Sequence, residues 1–248
     1  MLTPKILEAF FSGITLPKDA AVLDLGCQNA AALAWLKATY QLEGKLIGID
    51  KRSKDFETPE IQQSLGVSLL ERNAAEPLDF PDESFDLIFH CNVLECIPDT
   101  AAHLRELHRL LKPGGQIVCV HEDWESIVLN GGSKALIRKA VLGYANFLQA
   151  GWMDSCDGWI GRRLWGYCNG SGLFQGEISI YDHIETEYAE SMRGWQYIQD
   201  MQYFLGPQGF LSEAEYAELL ADMEDVYARG AYLYAAPYYV YRGRKIIL

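Results

Sequence analysis

The segment Val22-Leu-Asp24-Leu-Gly26-Cys-Gln28-Asn-Ala30 decides the fold. An apolar run ends in glycine, and residues 30–40 continue as an Ala/Leu-rich stretch at helical spacing, which reads strand, tight turn, helix. Outward from this unit the alternation repeats. Strands are predicted over 45–50, 67–71, 85–91 and 116–121 and a helix over 101–111, while Lys112-Pro-Gly-Gly115 punctuates the last pair because proline stops a helix and glycine turns the chain. This pattern specifies an α/β fold: a doubly wound, mostly parallel, seven-stranded Rossmann-like sheet covered on both faces. Ahead of it, Thr3-Pro4 signals a helix running to about residue 11, expected at the periphery.

The turn also limits the chemistry. A strand entering a helix through glycine leaves free amides at the edge where open α/β sheets bind ligands, but one glycine is not the G-x-G-x-x-G of a dinucleotide site. Asp24 lies just before the turn, and Asp50 ends the next strand in Ile47-Gly-Ile-Asp50-Lys. A carboxylate there can accept hydrogen bonds from both hydroxyls of a ribose.

Beyond residue 121 the pattern loosens. Helices are predicted over 133–149, 190–205 and 212–229, with strands over 176–182 and 233–241, the last interrupted by Pro237 and so expected at an edge or bulge. Of 30 Phe, Trp and Tyr residues, 22 follow residue 121, so the two halves carry different tasks. The 248 residues are expected to form one domain, with a cofactor-binding core over 1–121, an inserted helical lid over 122–170 after the fifth strand, and completion of the sheet and the acceptor side over 171–248. The net charge of −13 is shared almost equally between the halves, which excludes a basic nucleic-acid face. Six cysteines form no C-x-x-C pair and suggest no metal site. Charges within the first eight residues and the lack of about 18 consecutive apolar residues lead us to expect a cytoplasmic protein without a membrane span.

Together with Asn73-Ala-Ala-Glu-Pro-Leu-Asp-Phe-Pro-Asp-Glu-Ser-Phe85-Asp-Leu-Ile-Phe-His-Cys-Asn92-Val-Leu-Glu-Cys-Ile-Pro-Asp99 and Leu110-Leu-Lys-Pro-Gly-Gly115, the opening segment resembles the class I S-adenosylmethionine-dependent methyltransferases, in the small-molecule branch that includes the quinone-biosynthesis enzymes. The resemblance covers about residues 20–121. It implies S-adenosylmethionine as cofactor, with the turn of Asp24, Gly26, Cys27 and Gln28 at the methionine part, Asp50 at the ribose, and Ile49 or the methylenes of Lys51 against the adenine. Asn73 and Ala74 would read the adenine edge, and His90 and Cys91 would face the methionyl amine and sulfonium. Three positions depart from the family. Gln28 and Ala30 stand where glycine is usual, and Cys96 replaces a common histidine.

His121 is the first candidate for a base at the end of the fifth strand, with His90 the second. In the resembling enzymes the acceptor is covered by an insertion after the fifth strand, so Trp124, Tyr144, Trp159 and Arg162 become candidate acceptor contacts, with Trp152 and Tyr167 nearby. The expected activity is methyl transfer to oxygen or nitrogen of a small molecule or peptide. The alternative is a methyltransferase fold that binds or regulates without catalysis, suggested by Gln28, Ala30 and Cys96.

Overall fold

The computed structural model describes residues 2–52, 54, 56–149, 153–206 and 209–247. Strands β1 (Val22–Leu25), β2 (Leu46–Asp50), β3 (Ser68–Glu71), β4 (Phe85–Cys91) and β5 (Leu111–Glu122) lie parallel in the order β3-β2-β1-β4-β5. After the two-residue β6 (Val128–Leu129), β7 (Phe174–Glu185) and β8 (Tyr234–Lys245) complete the sheet, with β8 antiparallel between β5 and β7. The sheet has eight strands rather than seven because β6 pairs with the first residues of β8.

Helices α1 (Pro4–Phe10) and α2 (Ala31–Tyr40) cover one face, burying Phe10 and Leu33 against Val22, Phe89, Val118 and Val120. The expectation of a peripheral α1 is corrected: Ile6, Leu7 and Phe10 are buried on its inner side, and Arg242 donates from Nε to the Phe10 carbonyl at 2.8 Å. The short α3 (Pro59–Leu65), absent from the sequence reading, starts at a Thr58 cap and buries none of its side chains. On the other face, α4 (Thr100–Leu110) and α6 (Ile160–Cys168) pack on Leu23, Ile88, Ile117 and Cys119.

A third apolar cluster joins α5 (Lys134–Ala145), α7 (Arg193–Asp200) and α8 (Glu213–Ala228) around Trp124, Tyr197 and Tyr234. Residues 160–168, read within the lid, form a helix that packs on the sheet, and residues 193–228, read as sheet completion and acceptor side, supply two of the three clustered helices. Apolar periodicity marks a helix but not the surface it packs on, which is why the sheet contact of residues 160–168 was not legible. Pro237 lies in an inner strand, not an edge. It sits between the β6-paired Ala235 and the β5-paired Tyr238, where one neighbour gives way to the other, and its carbonyl accepts from Asp123 N at 3.2 Å.

Side chains alternate across a sheet with period two. Asp24 is paired with Phe89, Phe89 with Val118 and Cys91 with Val120, so Asp24, Cys91 and Glu122 share the α1–α2 face. His90 and His121 necessarily point to the α4–α6 face.

Candidate functional site

A cavity of about 670 Å³ opens at the carboxyl ends of β1, β2, β4 and β5, bounded opposite them by α5, α7 and the segment before α6. One end is built from the turn after β1. Gly26 has φ +71°, and a Cβ there would lie 2.6 Å from the Val93 side chain, so this position requires glycine. Gln28 and Ala30 are also left-handed, at φ +47° and +63°. The family's preference for glycine there has its physical cause in these angles: this chain holds two L side chains where only glycine is unstrained. Because Gln28 is exposed, Gln28→Gly loses little packing. Relief of about 1–2 kcal/mol of strain, set against glycine's extra entropy cost of about 0.5–1 kcal/mol, predicts a rise in Tm of about 1–4 °C, readable by calorimetry.

Asp50 fastens that turn to β2. Its Oδ2 accepts from Gln28 N at 3.1 Å and its Oδ1 from Arg52 N at 3.0 Å. Lys51 and Asn73 both donate to Asp154, at 3.0 and 3.3 Å, which ties the segment before α6 across this end. Asp24 is buried, and burial followed by the nearby charge of Asp50 pushes its carboxyl well above the carboxylate range. No cation enters into that shift. A positively charged centre beside Asp24 would offset its repulsion by Asp50, and a ribose diol can donate to the Asp50 carboxylate.

The other end is polar as well as aromatic. Glu122 is fully buried at the end of β5, and Asn92 grips it twice: Glu122 N donates to Asn92 Oδ1 at 2.8 Å, and Asn92 Nδ2 donates to Glu122 Oε2 at 2.6 Å. Arg193, carried in by α7, lies 3.4 Å from the same Oε2 and 5.4 Å from the ring centre of Trp124. Burial opposes the charge on Arg193, but Glu122 and the surrounding Tyr234, Tyr144 and Tyr238 outweigh it and keep the guanidinium protonated. Glu95, also on the wall, is pushed by burial up to about 8.

Of the residues singled out in the sequence, Asp24, Gly26, Cys27, Gln28, Asp50, Lys51, Asn73, Ala74, Cys91, Trp124 and Tyr144 all line this cavity. His90 and His121 do not. Both are fully buried behind the sheet, as the alternation requires, and His121 Nδ1 is 2.6 Å from the Glu122 carbonyl. Trp159 is 40% exposed outside the cavity, with the Arg162 guanidinium 4.6 Å from its ring centre. Arg162 is spent on Asp123, through Nε at 2.6 Å and a second bond from Nη2. Trp152 lies outside the described residues. The sequence reading missed Glu95, Glu122 and Arg193. Counting two residues on from Val120 was enough to place Glu122 on the Cys91 face, whereas no local signal placed Arg193.

The histidines behind the sheet have a consequence for stability. Burial lowers His103 from 6.5 to about 4, so the folded protein keeps this ring neutral while the unfolded chain protonates it. Stability is therefore lost as pH falls from about 6.5 towards about 4, and His103 alone accounts for about 2 kcal/mol between pH 7 and pH 5. In denaturant titrations at those two pH values, His103→Phe is expected to narrow its stability gap to the wild type by that amount. An unchanged gap contradicts the assignment.

Residues 23–119 match the family described as Methyltransferase domain. Over 134 residues the chain is 31% identical to a 2-methyl-6-phytyl-1,4-hydroquinone methyltransferase of Synechocystis sp., covering 50% of this chain and 40% of that protein. Over 116 residues it is 34% identical to a demethylmenaquinone methyltransferase of Lactiplantibacillus plantarum, covering 43% and 47%. These matches span less than half the length of the relatives. Among solved structures, a putative methyltransferase from Bacillus halodurans superposes with a TM-score of 0.61 at 15% identity, covering 98% of this chain and 100% of that one. An S-adenosylmethionine-dependent methyltransferase from Mesorhizobium loti gives 0.51 at 19% identity, covering 98% of both chains. At such identities the structures speak for the fold alone, while Asp24, Asp50 and Asn73 of the matched segment line one cavity. Residues 23–119 thus match a methyltransferase domain, and over them the chain is similar to the class I S-adenosylmethionine-dependent methyltransferases.

Proposed function

We propose that the protein transfers a methyl group from S-adenosylmethionine to an oxygen or nitrogen of a small-molecule or peptide acceptor. The observation that carries this reading is the continuity of one cavity from the Asp50 and Asn73 end to the Glu122, Arg193 and Trp124 end. When bound, S-adenosylmethionine supplies a methyl carbon already activated by a positively charged sulfur, so alignment and exclusion of water are the main tasks left to the protein. Asp50 would hold the ribose, Asn73 and Ala74 the adenine edge, and Asp24 with the end of β4 the methionine part. Tyr144 and Trp124 would wall the acceptor under α5 and α7.

The names of the curated relatives specify a hydroquinone and a demethylmenaquinone, both apolar and planar. A planar acceptor suits the aromatic wall. Incubating the purified chain and methyl-labelled S-adenosylmethionine with a cell extract, followed by mass spectrometry, is expected to show label on a small molecule or peptide at oxygen or nitrogen. Label appearing at carbon would redirect the reading to quinone-type chemistry. Cofactor binding with no transfer would favour the second reading, a noncatalytic binding or regulatory protein, which the left-handed Gln28 and Ala30 motivate.

A further inference from the structure

We infer that Glu122 takes the proton of the acceptor, which therefore presents an O–H or N–H to Glu122 Oε1. The inference rests on the methyl-transfer reading and deepens it. Glu122 lines the cavity, and its two oxygens are used unequally. Oε2 is occupied by Asn92 and Arg193, whereas Oε1 is buried with no hydrogen-bond partner among the described residues. Leaving a buried acceptor unpaired costs about 1–3 kcal/mol, and more when it is charged, so a donor from the ligand is strongly favoured at this atom.

The carboxylate is also held in place. Asn92, itself left-handed at φ +54°, closes a reciprocal clamp with the Glu122 backbone and side chain, which restrains rotation about the side-chain bonds. Arg193 Nη2, 3.4 Å from Oε2, holds the other oxygen from the second side and leaves Oε1 facing the ligand. The competing groups are unsuited. His90 and His121 face the far side of the sheet, and Glu95, pushed up to about 8, already holds a proton near neutral pH.

The step balances without a co-reactant. A bond forms between the acceptor oxygen or nitrogen and the methyl carbon as the carbon–sulfur bond breaks, and sulfur keeps that electron pair. The proton of the nucleophile passes to Glu122 Oε1, so the positive charge lost at sulfur is matched by the negative charge lost at the carboxylate. A positioned base of this kind accounts for about 10²–10⁴ in rate.

The test compares wild type with Glu122→Gln and with Glu122→Gln/Arg193→Met, which removes both buried charges. S-adenosylhomocysteine affinity by calorimetry is expected to stay within about twofold in Glu122→Gln, while methyl incorporation from labelled S-adenosylmethionine into the extract falls about 10²–10⁴-fold. The double variant is expected to recover most of the wild-type stability and to remain inactive, which a purely structural role for Glu122 would not produce. A second readout needs no turnover. With 4-nitrophenol added to the S-adenosylhomocysteine complex, absorbance is expected to report the neutral phenol bound to wild type and more phenolate bound to Glu122→Gln. Equal spectra for the two proteins, or equal incorporation, overturns the assignment to Glu122. A wild type that binds S-adenosylhomocysteine yet methylates nothing overturns instead the transfer reading on which it rests.

Discussion

Asp50→Ala is expected to weaken S-adenosylhomocysteine binding by about 10²–10⁴-fold. A carboxylate that accepts both ribose hydroxyls makes two charge-assisted hydrogen bonds, each contributing about 1.5–3 kcal/mol, and about 1.4 kcal/mol corresponds to a factor of ten. The same substitution releases the amides of Gln28 and Arg52, which Asp50 now satisfies, so the turn after β1 keeps only its backbone bonds from Gly26 N and Cys27 N to the Ile49 carbonyl. Calorimetric titration of the variant reads both effects together. Trp159→Ala is the matched control: its ring lies outside the cavity, and its binding is expected to remain within twofold of wild type. A loss of less than tenfold in Asp50→Ala would remove Asp50 from the ribose site.

Arg193→Met is expected to destabilise the protein by about 3–5 kcal/mol, because removing one partner of a buried ion pair strands the other charge. Glu122 is fully buried, and Arg193 is the only cation that the described residues bring to it by an ion pair. In a domain of this size the loss corresponds to a fall in Tm of about 6–20 °C. Adding Glu122→Gln to Arg193→Met removes the stranded charge and is expected to recover most of the stability, since two neutral side chains of similar volume can replace such a pair at little cost. Thermal unfolding of the three variants closes the cycle. A fall below 1 kcal/mol in the single variant would mean that Glu122 finds water or another partner.

The sheet was legible in the sequence because its strands obey local rules. β4 spans the residues read for it, and α2 starts one residue later than read, where glycine turns and apolar runs leave little choice. The placing of Asp24 and Asp50 on one cavity was legible for the same reason: their positions follow from where β1 and β2 stop. His121 shows where local reading fails. It is the histidine at the right strand end, yet period-two alternation turns it behind the sheet and brings Glu122 forward. Arg193 is another matter. It reaches the cavity because α7 packs on Trp124 and Tyr234, a long-range contact that no window of sequence encodes. Arg162 illustrates the converse, since a plausible anion-binding arginine is already committed to Asp123.

The acceptor end resisted for one reason: its wall is assembled from β5, α5 and α7, separated by long stretches of chain, whereas the cofactor end comes mostly from consecutive strand ends. The most direct measurement of the central claim is a calorimetric titration of the purified chain with S-adenosylhomocysteine, repeated with Asp50→Ala. Saturable one-to-one binding that Asp50→Ala abolishes is the predicted result. No saturable binding by the wild type at millimolar ligand would contradict it.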